Sequence, residues 1–391
     1  MSALPNEPVQ PAGTNRRGVA LLTALFGIVV IALMISGAFF SSTQEARGGR
    51  NQLVEQRAFA VAEYGLNAEV SNWDRSRNLP GGMAVGAVDS SRVYVAQGDT
   101  ARVFITRLTN TSFWVTSEGR ASIGNRALES KHETSAYVRI ASPSISPKGA
   151  ITTAGNISVQ GAADVDGHNH DPAGWSTCPA FPGSDVPGIV VGQTATVSIQ
   201  KPNSVLGVPA PWVRDPAASD SNTYIRYGTE SWNSLVANAD IRLAGGGTIT
   251  GVAPNGTAAT CDRTDQYNWG EPLRPGIVGC YGYFPIIYIN SSVRINSNGY
   301  GQGILLVNGD LQINGKFDFY GLVIVRDDID MGNGTAKVHG AIYSANANIV
   351  DPNNALNGNL TVEYSRCAIE SVLVGSGILT RAKERHWVQI Q

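Results

Sequence analysis

The chain of 391 residues carries 29 basic and 31 acidic residues, a formal charge of -2, with 15% charged and 42% hydrophobic residues. That length exceeds one ordinary domain and suits two; the even charge argues against a dedicated nucleic-acid binder, and the apolar content excludes global disorder. With 44 Gly, 19 Pro and no Gly-X-Y period, the composition reads as many short strands joined by turns, and argues against collagen and against a helical or doubly wound enzyme.

The first predicted element is a membrane helix. Val19 to Phe40 (VALLTALFGIVVIALMISGAFF) runs 22 residues without a charge; at ~1.5 Å per residue it reaches roughly 33 Å, enough for the ~30 Å hydrocarbon core. Arg16 and Arg17 precede it, which predicts a cytoplasmic N-terminus. The alternative is a secretory signal peptide cut near Ala38, but the apolar stretch is longer than the usual h-region of roughly 7–15 residues. The helical pattern continues beyond the membrane. No Pro occurs from Ser41 to about Trp73, and Phe59, Ala62, Leu66, Val70 and Trp73 recur at spacings of 3, 4, 4 and 3, which makes one apolar face. Gly48 and Gly49 predict a weak point, and Leu79-Pro80-Gly81-Gly82 a stop.

Arg16-Arg17-Gly18, then VALLTALFG, then STQEARGGRNQLVEQRAFAVAEYGL resembles the class III signal and helix of type IV pilin-like proteins. The small residue plus ALL opening and the AFxxAExGL stretch, Ala58 to Leu66, are similar to the PilX-type minor pilins. The resemblance covers about 50 residues and rests on the combination of its pieces. It implies cleavage after Gly18 by prepilin peptidase and N-methylation of Val19. It also implies a single pass through the inner membrane with a periplasmic body, and assembly with other pilins and pilus assembly proteins into, or at the tip of, a filament. One position departs from the pattern: most pilins carry glutamate at the fifth mature position, and here it is Thr23. A carboxylate in lipid is costly unless paired, and Thr23 offers no charge. In this the chain resembles tip subunits such as the K-type pseudopilin.

Beyond the helix, Val93-Tyr-Val, Ala101 to Leu108, Phe113 to Ala121 and Thr134 to Ile140 alternate apolar and polar residues, predicting half-buried strands with a turn at Thr109-Asn110. The pattern supports a small α+β unit; its pilin-like, antiparallel arrangement on the helix is what the resemblance implies. Ser142-Pro-Ser-Ile-Ser-Pro147 reads as a linker. An internal repeat follows. Segments beginning at Pro285, Gly303, Gly321 and Gly340 start 18, 18 and 19 residues apart; offset eight holds Val293, Leu311 and Ile329, and offset ten Ile295, Ile313 and Met331. Gly149-AITTAGNISVQG fits the frame, and Gly188-IVVGQTATVSIQ fits with a one-residue slip. Such a period predicts a parallel β-helix (solenoid), with a Gly-rich sandwich as the alternative. The PilX resemblance points the same way.

The expected fold class is therefore mainly β with one long N-terminal α-helix: a pilin-like α+β unit followed by a parallel β-helix. The expected organisation is a leader over 1–18, a transmembrane part over 19–40, helix plus sheet over 41–141, a linker over 142–148, the β-helix over 149–370 with an irregular insertion about 200–284, and a C-terminal cap or tail over 371–391.

Cys178, Cys261, Cys280 and Cys367 contain no CxxC pair, so in a translocated body they read as disulfides rather than a metal site. Cys261 and Cys280 bracket a polar loop and make a local bridge; Cys178–Cys367 follows by elimination among three pairings. No cofactor is predicted, since no GxSxG, phosphate loop or nucleophile–His pairing appears. In ADVDGHNHDP, Asp166, His168 and His170 are weak metal-ligand candidates, beside Asp164 and Asp171, and ordinary turn chemistry explains the same residues. The remaining histidines, His132, His339 and His386, are scattered. Asp310 and Asp328 share offset seven, with Asp327 alongside, and carboxylates ~5 Å apart suit a retaining glycosidase; solvated turns suit them equally. Trp269, Tyr281 and Tyr283 are candidate surface contacts or core. Two functions follow: a non-catalytic minor pilin-like component that displays an adhesive body toward a surface or glycan ligand, or a membrane-anchored β-helix enzyme acting on cell-surface polysaccharide.

Overall fold

The computed structural model describes residues 17–391 apart from 80–81, 96–98, 124–127, 177, 228–229, 259, 275, 277, 332–334, 345–352, 357–358, 382–386 and 391. It has one long N-terminal helix and is otherwise mostly β. Helix α1 (Arg17–Ser71) runs 55 residues without a break, through Gly48 and Gly49, where an added Cβ would meet nothing within 4 Å. Its packing face is set by small residues. Val54, Ala58, Val61, Ala62 and Leu66 are buried, whereas Phe59 and Val70 are only partly so. The reason is close approach: a Cβ on Gly119 would lie 2.3 Å from the Ala58 carbonyl, and one on Gly65 2.3 Å from the Ala101 methyl. Larger side chains at Ala58 or Ala62 would push helix and sheet apart.

That sheet holds β1 (Val88–Tyr94), β2 (Thr100–Thr109), β3 (Ser112–Ile123) and β4 (Leu128–Ala141), antiparallel in chain order. Their inward residues Val103, Ile105, Phe113, Val115 and Val138 are fully buried with Leu66. The far edge of β4 is covered by two strands from the chain's end, Ile378–Arg381 and Trp387–Ile390, both antiparallel to it. The segment expected as a C-terminal cap or tail thus completes the first sheet. The physical reason is the edge itself: β4 is 14 residues long, and an open edge of that length invites foreign strands.

Past Ser142 the chain winds. Lys316–Val325 runs up to Gly321, turns there and continues; after a short corner Ile329–Met331 forms the next side. Each turn lies parallel to the previous one, so that Gly303, Gly321 and Gly340 are in register, as are Val293, Leu311 and Ile329. The three glycines have φ of +128°, +133° and +146°, and a Cβ on Gly321 would sit 2.3 Å from the Gly303 carbonyl; only glycine makes this corner. Ile304, Leu306, Leu322, Ile324 and Ile342 point inward, each at most 1% exposed.

The order of the stack is not the order of the chain. Along one side the parallel strands run Ile241–Leu243, Ile286–Ile289, then the second halves of Gly299–Val307, Lys316–Val325 and Thr335–Ser344, and only then Ile151–Thr153, Ile189–Val191 and Trp212–Arg214. A second side repeats the order from Thr248–Ile249 through Asn353–Leu356 to Asn156–Val159 and Val197–Ile199. The chain enters in mid-stack, winds to one end, and returns along the outside through Tyr224, Tyr227, α2 (Trp232–Ala237) and Trp232, whose rings touch Tyr343 and Tyr288 in passing. It re-enters at Ile241 and winds back to meet its own beginning. The stretch expected as an insertion about 200–284 therefore supplies four stacked strands, Val205–Leu206, Trp212–Arg214, Ile241–Leu243 and Thr248–Ile249. Backbone pairing does not require equal corner lengths, so these turns lie outside the sequence period.

Candidate functional site

The exposed end of α1 is the most distinctive surface. Leu22, Phe26, Met34 and Phe39 are each at least 68% exposed, and Val19–Ser71 is one helix long and apolar enough, by length and composition, to cross a membrane. Gly18 falls inside α1 and Val19 opens its exposed apolar run; leader residues 1–16 lie outside the described residues. The Thr23 hydroxyl donates to the carbonyls of Val19 (3.1 Å) and Ala20 (3.0 Å), so its polar group is satisfied within its own helix and needs no neighbour.

The helix is joined to the wound body by a joint absent from the sequence reading. Arg107 is 1% exposed, with burial lowering its pKa, and its guanidinium donates to the carbonyls of Met83 (2.6 Å), Leu79 (2.8 Å), Asn78 and Asn110 (both 2.9 Å), Arg77 (3.1 Å) and Thr109 (3.2 Å). The loop so organised presents Asn78, whose Oδ1 accepts from the Trp73 indole at 2.8 Å and whose amide donates to Val374 and Gly377, both at 3.1 Å. Those carbonyls lie at and just past the end of α3 (Arg366–Gly375), which packs on the wound strands. Two ion pairs, Arg75–Asp240 at 2.7 Å and Arg263–Asp74 at 3.0 Å, bridge the same junction. The alternation itself marks Arg107: it follows Ala101, Val103 and Ile105 at steps of two, on the buried face of β2, although its partners are remote.

Cys178 pairs with Cys367 and Cys261 with Cys280. The first pins α3 to the opening turn of the body; the second closes a loop whose Trp269 is fully buried, and Tyr283, just past it, is 8% exposed. Tyr281, 58% exposed, is the member of that aromatic trio that reaches solvent, with Arg274 over its ring.

Asp166 holds both histidines of its motif. Its Oδ1 accepts from the His168 backbone N–H (2.9 Å) and lies 2.6 Å from Nδ1, while Oδ2 lies 2.9 Å from Nε2 of His170. Burial raises the carboxyl pKa, but these contacts outweigh it and lower it. The rings grip opposite oxygens of one carboxylate, a closed turn rather than a converging ligand set. Among the described residues, three His, Cys, Asp or Glu ligand atoms come within 4.8 Å of one another at Asp171, Cys178 and Cys367, where both sulfurs are spent in the disulfide. Asp166 lies in register with Glu363, and Glu363 with His339. Hydrogen bonding to His339, aided by Lys337 and opposed by burial, pushes the Glu363 carboxyl down to about 2.

Asp310 and Asp328 line an open groove of ≈ 680 Å³ with Arg294, Gln312 and Asp330. Asp310 is a corner bracket: Oδ2 accepts from the Ser292 hydroxyl and Oδ1 from the Asp328 backbone N–H, both at 3.1 Å. Arg294 donates to Gln312 at 2.5 Å, and Gln312 to Asp330 at 3.0 Å. Each Asp310 oxygen thus accepts a hydrogen bond from a neighbouring turn.

No protein-family profile and no curated protein matches the chain. Among solved structures, the crystal structure of the competence-associated pilin ComZ from Thermus thermophilus aligns over 86% of this chain and 97% of its own, at 12% identity and a TM-score of 0.24. A superposition that loose carries no argument about the fold.

Proposed function

We propose that the chain is a non-catalytic, minor pilin-like component of a type IV pilus or related filament. In this reading prepilin peptidase cuts after Gly18, Val19 is N-methylated, and the apolar half of α1 holds the subunit in the inner membrane, N-terminus inward, until assembly with other pilins. The wound body, which we read as a parallel β-helix, is then displayed outward, available to a surface or glycan ligand. The observation that carries this is α1: one unbroken helix, bare and apolar from Val19 to Phe40, seated from Val54 to Leu66 on an antiparallel sheet by small residues. Thr23, satisfied by its own helix, suits a position with no subunit above it.

The test is mass spectrometry of the native N-terminus in strains with and without active prepilin peptidase, with a deletion strain scored for pili. The expected result is methylated Val19 only where the peptidase is active, and fewer or shorter pili without the gene. An intact leader in the active strain, or a terminus near Phe39, would overturn the reading.

A further inference from the structure

The linker that follows the first sheet does not hang free. Ser144, Ile145 and Lys148 lie over the outer side of the wound body, where Tyr343, Thr152 and Val190 stand in register on three successive turns. The returning segment closes the space from the other side with Ala218, Arg226 and Tyr227, leaving a cavity of ≈ 290 Å³. That is the small end of the roughly 300–1,000 Å³ range of ligand pockets.

Two features give this cavity a chemistry. Thr152 is 2% exposed and lines it, yet its Oγ1 has no hydrogen-bond partner among the described residues. A buried hydroxyl without a partner is costly, and the isosteric valine occupies the same place one turn on, at Val190. The second feature is charge. Lys148 is neutralised by Asp215 at 2.7 Å, whereas Arg226, exposed at the rim, has no acidic partner among the described residues. The remaining wall is tyrosine ring and aliphatic surface with the small polar residues Ser144, Ser146 and Thr223; the Thr223 hydroxyl is already donated to the Ala217 carbonyl and that of Tyr227 to the Tyr224 carbonyl.

We propose that this cavity binds a small hydroxylated carboxylate, the chemistry of a single uronic-acid residue. A ligand hydroxyl pairs with Thr152 Oγ1, the carboxylate faces Arg226, and the carbon skeleton lies against the tyrosine rings. The inference goes beyond the assembly role and does not depend on it.

The experiment is calorimetric or saturation-transfer titration of the full-length chain in detergent micelles with D-glucuronate, with D-glucose and acetate as controls. The variants are Thr152→Val, which keeps the shape, and Arg226→Gln at the exposed rim. The expected result is saturable glucuronate binding, weaker by about tenfold in each variant, with glucose and acetate each binding less well than glucuronate. The thermal midpoint of Thr152→Val should equal or exceed that of the parent. Absence of saturable glucuronate binding, equal binding by parent and Thr152→Val, or glucose binding as well as glucuronate would each overturn the proposal.

Discussion

Removing the Cys178–Cys367 bridge should cost the protein more than removing Cys261–Cys280. The two close loops of very different length, with sequence separations of 189 and 19. In the chain-entropy treatment the longer loop stabilises by about 5 kcal/mol and the shorter by about 3 kcal/mol. The structure adds to the difference. Cys367 is fully buried and Cys178 nearly so, and their bond fastens α3, the element whose end receives the Asn78 amide, to the turn where the winding begins. Denaturant unfolding of the purified chain, with Cys→Ala pairs at each bridge, measures both losses. Tryptophan fluorescence follows the unfolding; of the 7 Trp, Trp175 lies three residues from Cys178 and stacks 5.9 Å from Tyr320. The expected order is Cys178→Ala/Cys367→Ala well below Cys261→Ala/Cys280→Ala, which in turn lies below the parent. Equal losses, or a larger loss at the short loop, would refute the view that the long bridge secures the closure of the body.

Arg107→Met leaves six carbonyls without their donor and should lose about 3–5 kcal/mol, since a single unpaired buried polar group costs about 1–3 kcal/mol; urea unfolding measures it, and Arg107→Lys should recover only part. Gly321→Ala places a methyl against the Gly303 carbonyl at φ +133° and should lower stability by at least about 1–3 kcal/mol, whereas Gly49→Ala, with open space around it, should leave the thermal midpoint unchanged or raised. Leu306→Ala, at a fully buried inward position, should cost about 2–5 kcal/mol in the same unfolding assay. Glu363 has a folded pKa pushed below its ordinary 4.5 to about 2, so its contribution is fully present above about pH 4.5 and is lost as pH falls through about 2; Glu363→Gln should flatten stability over that window in an acid titration followed by circular dichroism.

The exposed apolar helix was legible from one uncharged run, and the parallel register at 18-residue spacing from a strict period. A membrane-length run needs no long-range information, and Val293, Leu311 and Ile329 occupy equal offsets because their corners have equal lengths. Legibility failed where partners are remote. Ile241–Leu243 and Thr248–Ile249 belong to the stack by backbone pairing alone, and the strands after Ile378 find β4 more than two hundred residues upstream. Of the expected helix face, Ala62, Leu66 and Trp73 are buried and Phe59 and Val70 partly so; Val54, Ala58 and Val61 extend it, because hydrophobicity marks large residues whereas contact with Gly119 selects Ala58 as well as Ala62. At the candidate sites the residue types were visible but not their occupation. Asp310 reads as a free carboxylate until the Ser292 hydroxyl and Asp328 amide are placed on it, and Arg107, on the inward phase of its strand, has no visible partner until the carbonyls around it are known.

The mismatch between stack order and chain order has a consequence for biogenesis. If the body crosses a membrane in chain order behind a helix whose N-terminus stays inside, Ile151–Thr153 emerges long before Thr335–Ser344, the turn it must lie against. The opening turns therefore wait with one face uncovered, and the first sheet waits equally for Ile378–Arg381 and Trp387–Ile390 to cover β4. Both units are finished by strands after about residue 335, so neither can mature before those strands have arrived. Long-range closure of this kind is slow and leaves apolar edges open meanwhile. On such a route folding is tied to completed passage of these strands: a chain stalled or clipped before about residue 360 leaves both units unsealed.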